Sequence, residues 1–247
     1  MGQSRTFGKK WSMEFNPEKC EVLRIHRKKK PVIFPYTLHD TTLRTTENTK
    51  YLGATISSNL NWSSHLNTIT NQAKNSLRFI RQNVKTQNKQ LKKAAYSTYV
   101  WPQVKYCSTI WPPWQKYLTH RIKMVQRSSA RYVQNDYHCT SSVTNMLREL
   151  KWSTLEQHRN QARLTMLHKI HKKQVNVYHS HFTTTQNNKF LIPHSKTKRH
   201  MNLFFPRAVQ LWNELPTEIK DTPTYAITFK TTYPITHINF IHFVKHQ

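Results

Sequence analysis

Residues 50–66, KYLGATISSNLNWSSHL, constrain the fold of this chain more than any other stretch. A short apolar segment, YLGATI, has the composition of a strand and is followed by a polar turn. Ser63 or Ser64 then stands where a helix N-cap is expected, because apolar residues follow at helical spacing. These residues are Leu66, Ile69, Ala73, Leu77 and Ile80. The stretch therefore predicts a junction between a β part before it and a mainly helical part after it.

The part before the junction has the patterns of strands and turns. Apolar residues alternate with polar ones over residues 22–26 after an Asn16-Pro17 turn, and His39-Asp40 separates two short β-type segments as in a hairpin. Gly53 lies inside the predicted strand, where glycine indicates a bulge or the close approach of another backbone or a ligand. Residues 1–10 are polar and basic and predict a loose start.

The part after the junction predicts further helices. One runs from about Lys89 to Trp101, where Pro102 breaks or kinks it because proline lacks the amide donor. Another carries apolar residues at helical spacing from Leu118 to Val133.

Beyond residue 140 the helical pattern becomes shorter and less regular. Residues 141–150 predict a short helix, and Ser153 with Glu156 has capping-box spacing before a helix whose apolar stripe Arg159 interrupts. Pro206 suits the first turn of a helix ending near Asn213. The final HINFIHFV alternates like a strand.

These patterns together predict an α+β fold that is mainly α. A short N-terminal strand region precedes a helical bundle and a small C-terminal segment. The predicted divisions are a loose N-terminus at 1–10, a β-rich part at 11–58, a helical domain at 59–172, a polar loop or linker at 173–201 and a C-terminal helix and strand segment at 202–247.

Positive charge dominates the composition. The chain has 39 Lys and Arg residues against 11 Asp and Glu, a formal net charge of +28. Residues 48–135 contain fourteen cations and no acid, and residues 157–213 contain ten and no acid. A solvated surface normally mixes both signs, so this balance favours a polyanionic partner, RNA or DNA. A membrane is not favoured, because the sequence has neither an 18-residue apolar run nor a signal peptide.

The cations form stripes on two predicted helices. Lys74, Arg78, Arg81 and Lys85 lie beside the apolar face of the first. Lys123, Arg127 and Arg131 follow at four-residue intervals on the other. Each stripe is either an ordinary solvated flank or a surface that faces phosphates, and both interpretations stay open.

Aromatic residues accompany these cations in the acid-free region. They are Trp62, Tyr96, Tyr99, Trp101, Tyr106, Trp111 and Trp114. Bases stack on such rings when the rings are exposed, but most aromatic side chains are core residues. We expect two or three of the seven at most to be exposed.

The sequence lacks the patterns of several chemistries. Two-metal phosphoryl transfer needs clustered carboxylates, and the three Asp residues, at positions 40, 136 and 221, are far apart. Three glycines exclude a phosphate-cradling glycine loop. The histidines lack a C-x-x-C partner, so no zinc site is predicted. Three widely spaced cysteines make a disulfide framework unfavourable and favour an intracellular setting.

The order of six segments resembles the reverse transcriptases of non-LTR retrotransposons, the jockey-like group in particular, over about residues 11–230. The segments are WSMEFNPEKCEVLRI, KYLGATISSNLNWSSHL, YVWPQVKYCSTIWPP, RIKMVQRSSARYV, LKWSTLEQHRNQARLTMLHKI and FFPRAVQLWNELP. The resemblance implies a right-hand polymerase that copies RNA into DNA with Mg²⁺. In that family the catalytic aspartates lie upstream of the first segment, so the resemblance implies the end of the palm, the thumb and the region after it.

The resemblance also implies roles for particular positions. Lys50, Tyr51, Leu52 and Gly53 correspond to the segment that approaches the primer end, and Trp62 and His65 to the start of the thumb helix. The stripes at 74–85 and 123–131 would face the template–primer duplex.

Three hypotheses follow from the sequence. The first is a truncated reverse transcriptase that is not an enzyme on its own, holds no cofactor and binds RNA, DNA or an RNA–DNA hybrid. The second is an enzyme that acts only when a fingers–palm portion is supplied by a partner. The third is a decayed product without function, or an interaction module.

Overall fold

A computed structural model describes residues 12, 15–26, 32–111, 113, 115–177, 184–185 and 189–215. The chain divides into two compact units, residues 1–67 and residues 68–247. Short strands dominate the first unit and helices the second, which confirms the α+β, mainly α class. The predictions for residues 1–10, for Trp114 and for the HINFIHFV strand lie outside the described residues.

Short two-stranded sheets make up the first unit. Its strands are β1 (Glu21–Leu23), β2 (Thr37–Leu38), β3 (Thr41–Thr42), β4 (Arg44–Thr46), β5 (Asn48–Tyr51) and β6 (Ala54–Ser57). β1 pairs with β4 in parallel, while β2–β3 and β5–β6 are antiparallel hairpins. The strand character predicted upstream of the junction is therefore present as small ladders.

Both hairpins turn through residues with positive φ. His39 and Asp40 have φ of 48° and 60°, which confirms the predicted turn. Leu52 and Gly53 have φ of 45° and 81° and connect β5 to β6. The interpretation of Gly53 as a strand bulge is therefore wrong, because a two-residue hairpin turn of this twist requires positive φ at both positions. Glycine adopts such a φ without the steric cost that Leu52 bears.

Helix α1 (Ser63–Asn83) follows the β5–β6 hairpin after a short turn at residues 58–62. The Asn61 side chain accepts hydrogen bonds at the first helical residue. Asn61 Oδ1 accepts the Ser63 N–H at 3.0 Å and the Ser63 hydroxyl at 2.8 Å. Ser63 is the first helical residue, so the prediction that Ser63 or Ser64 is the cap is wrong. Lys85, the last residue of the predicted stripe, lies two residues beyond the end of the helix, in the loop that follows it.

The second unit is built from helices and one small sheet. After α1 the helices are α2 (Lys89–Tyr99), α3 (Trp101–Lys105), α4 (Lys116–Gln134), α5 (Val143–Glu149), α6 (Leu155–His171), α7 (Lys198–Met201) and α8 (Phe204–Asn213). β7 (Thr184–Thr185) pairs with β8 (Lys189–Phe190) in antiparallel fashion.

Local sequence signals account for most of these boundaries. Asn88 accepts the Gln90 and Leu91 amides at the start of α2, and Pro102 sits in the first turn of α3, which confirms the predicted break. The capping box of α6 is formed by Thr154 and Gln157. The capping box was predicted at Ser153 and Glu156, one residue before its observed position, because these two residues have the same spacing as Thr154 and Gln157.

A hydrophobic cluster joins α6, β8 and α8. Its buried members are Leu164, Leu167, Phe190, Ala208, Val209, Leu211, Trp212 and Leu215. The Asn213 side chain forms two hydrogen bonds with the backbone of Phe190: it accepts the Phe190 N–H at 3.0 Å and donates to the Phe190 carbonyl at 2.8 Å. Part of the segment predicted as a polar linker therefore belongs to the core, because a single phenylalanine with a satisfied backbone fills this site.

We predict that Phe190→Ala destabilises the second unit by about 3–5 kcal/mol, because it leaves a cavity against Leu167 and Trp212. Leu191→Ala is the matched control, since the Leu191 side chain is 59% exposed, and it is expected to change stability by less than about 0.5 kcal/mol. Urea unfolding followed by tryptophan fluorescence measures both. Equal effects of the two substitutions would show that residues 189–190 are not part of the core.

Candidate nucleic-acid interface

The predicted site residues of the first unit lie on and beside the β5–β6 hairpin. Lys50 and Gly53 are exposed, and the Tyr51 side chain is 64% exposed. Trp62 is half-buried, with its ring edge-on to His65 at 6.0 Å between centroids. The hairpin tip therefore offers a cation and an aromatic ring to solvent, whereas Trp62 packs against its own unit.

His65 ties the hairpin to the start of α1. Its side chain is 1% exposed, and its Nδ1 accepts the Thr55 N–H at 3.2 Å. Burial lowers the pKa of His65, which keeps the ring neutral and able to accept this hydrogen bond. The position that resembles the start of a thumb helix thus has a structural role here.

The stripe on α1 remains open to solvent in the second unit. Lys74, Arg78 and Lys85 are exposed and have no hydrogen-bond or ion-pair partner among the residues that the structure describes. Arg81 is also exposed, but its Nη2 donates to the Ser128 carbonyl of α4 at 3.0 Å. Its guanidinium carbon lies 5.7 Å from the centre of the Tyr137 ring.

The three cations of the α4 stripe have different environments. Lys123 Nζ lies 3.6 Å from Glu156 Oε2, an exposed pair of small energetic value. Arg131 donates to the carbonyls of Asp136, His138 and Ser141 in the loop after the helix. Arg127 is exposed and has no partner within the described part of the chain.

The bond from Arg81 to Ser128 joins the two stripes, because Ser128 follows Arg127 on α4. We call the exposed cations of the α1 stripe together with Arg127 the basic surface: Lys74, Arg78, Arg81, Lys85 and Arg127. Four of the five cations have no partner among the described residues, and none of the five adjoins an acid in sequence. Such an uncompensated surface attracts a polyanion. Lys123 and Arg131, also predicted to contact nucleic acid, have partners within the protein, and their contact with nucleic acid stays a prediction.

The aromatic residues of the acid-free region are mostly internal, as expected. Tyr99 and Tyr106 are 54% and 52% exposed, whereas Tyr96 and Trp111 are buried. Trp101 is half-buried, with its ring 4.5 Å from that of His158. The expectation of two or three exposed rings is confirmed for the described members of the set.

A cation that was not predicted from the sequence lies on the buried face of α2. Lys92 is 5% exposed, while its neighbour Leu91 is 53% exposed. The signal was present, since Lys92 lies four residues before the buried Tyr96 and eight before the buried Val100. Lys92 therefore belongs to the inner face of the helix despite its charge.

Helix α6 also buries cations. Arg159 and Arg163 are each 5% exposed, so Arg159 does not interrupt the buried stripe but is part of it. Burial, followed by repulsion from Arg159 and Arg207, lowers the pKa of Arg163 to about 10. Arg159 Nη1 and Arg163 Nε lack a hydrogen-bond partner among the described residues. The long aliphatic stems of arginine account for this burial, which the prediction of an interrupted stripe did not include.

Metal ligands and membrane-spanning helices are not found in the described residues. No group of three or more His, Cys, Asp or Glu side chains is placed to hold a metal ion there. None of the helices described combines the length and apolar character needed to cross a bilayer.

Comparison with known proteins gave no match: no family model, no curated protein and no solved structure is similar to this chain.

We predict that the protein loses stability as the pH falls from about 6.5 to 4, with His158 as a main contributor. Burial, followed by repulsion from Lys105 and Arg159, lowers the pKa of His158 to about 4. The unfolded chain therefore binds this proton first, and the loss reaches about 2 kcal/mol near pH 5. His158→Gln should flatten the dependence in urea titrations at pH 7 and pH 5.

The exposed His194 supplies the control for this measurement. His194→Gln should leave the pH dependence of stability unchanged. A wild-type dependence in the His158→Gln variant would contradict the assignment.

Proposed function

We propose that this chain is the thumb-containing portion of a reverse transcriptase related to those of non-LTR retrotransposons, and that it binds RNA, DNA or an RNA–DNA hybrid without catalysing synthesis on its own. The observation that carries the binding proposal is the basic surface, where exposed cations of two adjoining helices have no acidic partner. The ordered resemblance of six sequence segments supports the family.

The geometry of the basic surface suits a phosphate backbone. Lys74, Arg78 and Arg81 follow one another at four- and three-residue spacing on α1, so they share one face of the helix. The seven-residue span from Lys74 to Arg81 is about 10 Å long at 1.5 Å per residue. That length spans about three base-pair steps of a duplex, so the three cations can each lie near a phosphate of one strand.

The environment of Asp136 supports binding without chemistry. Asp136 accepts the His138 N–H at 3.1 Å, and hydrogen bonds from Ser141 and His138 lower the pKa of its carboxyl group. The carboxylate is thus held by its own loop. The Mg²⁺ that the family uses would need carboxylates that we do not assign to this chain.

We predict steeply salt-dependent binding to an RNA–DNA hybrid, because released counterions dominate affinity for a polyanion. Replacing Lys74, Arg78 and Arg127 by Gln removes three contacts and should lower the slope of log Kd against log salt by roughly 2–3. Fluorescence anisotropy at several salt concentrations measures the slope.

A matched triple variant separates location from net charge. Lys173, Lys196 and Lys198 are exposed cations of the same unit that lie off the basic surface. Replacing these three by Gln should leave most of the slope intact. If both triple variants lower the slope equally, net charge alone and not the basic surface determines binding. If the wild-type protein shows no salt-sensitive binding, a decayed product or an interaction module is favoured.

A further inference from the structure

An open pocket lies where the end of α1, the start of α2 and the end of α4 meet, entirely within the second unit. Its volume is about 440 Å³, within the usual range for small-molecule sites. The lining residues are Arg81, Val84, Lys85, Thr86, Gln87, Lys92, Tyr132, Asn135 and Tyr137. Three of these are cations and none is acidic.

Lys92 distinguishes this pocket from an ordinary basic surface. Its side chain is 5% exposed, and its Nζ lies 5.0 Å from the centre of the Tyr132 ring. No carboxylate or carbonyl acceptor for this ammonium is found among the described residues. A lysine whose stem is buried and whose ammonium has only an aromatic ring beside it gains from an anion that enters the pocket.

Two tyrosines shape the pocket. The Tyr132 hydroxyl donates to the Ile80 carbonyl at 3.3 Å and the Val84 carbonyl at 3.2 Å, so its ring is fixed beside Lys92. The Tyr137 ring is 55% exposed. Lys92 beside the Tyr132 ring offers a site for a phosphate, and the accessible Tyr137 ring, 5.7 Å from the Arg81 guanidinium carbon, offers a site for a nucleobase.

The lining of the pocket contains no acid. Asp136 lies between the lining residues Asn135 and Tyr137 in sequence, but it is not itself a lining residue. Its carboxylate accepts the His138 N–H at 3.1 Å and a hydrogen bond from the Ser141 side chain. The cations at positions 81, 85 and 92 therefore act on a ligand without a counter-charge in the lining.

We propose that this pocket binds a nucleotide phosphate monoester, with the phosphate at Lys92, Arg81 and Lys85 and the base against Tyr137. A monoester carries a charge of about −1.5 to −2 near neutral pH, more than the single charge of a backbone diester, so three clustered cations favour it. Its source is a 5′-phosphorylated strand end or a free nucleotide. For a strand end the inference rests on the proposed nucleic-acid binding, and for a free nucleotide it does not.

The test compares two single-stranded oligonucleotides that differ only in a 5′-phosphate or a 5′-hydroxyl, each labelled at the 3′ end. Anisotropy is expected to show about tenfold tighter binding of the phosphorylated strand, the value of one charge-assisted contact. Lys92→Met keeps the aliphatic stem and should abolish the preference, while Lys89→Met, an exposed position on the same helix, should retain it.

Lys85→Gln provides a second variant at an exposed position, in case Lys92→Met does not fold. It is expected to reduce the preference severalfold. Equal affinity for the two strand ends, together with no adenosine monophosphate binding, overturns the inference, as does a preference that both Lys92→Met and Lys85→Gln leave intact.

Calorimetry with adenosine 5′-monophosphate separates the two sources of the ligand. If adenosine monophosphate binds and Lys92→Met abolishes that binding, the pocket accepts free nucleotides as well. If adenosine monophosphate does not bind but the preference for the 5′-phosphorylated strand is present, the pocket is specific for strand ends. If no oligonucleotide binds but adenosine monophosphate does, the proposed function is refuted and the monoester site is supported. If oligonucleotides bind without a preference for either end and adenosine monophosphate does not bind, the proposed function is supported and the monoester site is refuted.

Discussion

Hydrogen bonds from cations to backbone carbonyls link the helices of the second unit. Arg81 donates to Ser128, Arg131 to the loop after α4, and Lys93 to the Leu150 carbonyl at 3.4 Å. The Leu150 carbonyl lies at the C-terminus of α5, where carbonyls lack partners within their own helix and carry partial negative charge, so it suits a lysine. Among the described residues only Lys123 and Glu156 form an ion pair. The fold therefore satisfies part of its positive charge without carboxylates.

The cations that the backbone does not satisfy give the unit its proposed function. Lys74, Arg78 and Arg127 project from helices whose inner faces are buried, so rigid elements hold them in register. Lys92 extends the same charge imbalance into a pocket. Both sites follow from one constraint, because a chain with 39 cations and 11 acids has too few internal partners for them. In the proposed function, the phosphates of the nucleic acid supply the missing negative charge.

Periodic segments were predictable from sequence, whereas one-residue details were not. The apolar faces of α1 and α4 and the break at Pro102 follow directly from spacing and from proline chemistry. The Leu52-Gly53 turn was missed because leucine rarely adopts positive φ, so the sequence looks like a continuous strand. The burial of Phe190 was not predicted, because a single apolar residue in a polar segment forms no repeating pattern that would indicate a helix or a strand. The environments of Arg131 and Lys123 depend on tertiary neighbours that the sequence pattern does not contain.

The claim that the basic surface contacts nucleic acid is tested most directly by lysine footprinting. The protein is acetylated with and without an RNA–DNA hybrid, and modification of each lysine is read by mass spectrometry. Protection is expected at Lys74 and Lys85, with unchanged modification at Lys173 and Lys196, which are exposed cations of the same unit outside the basic surface. Protection at Lys173 and Lys196 with none at Lys74 and Lys85 would contradict it.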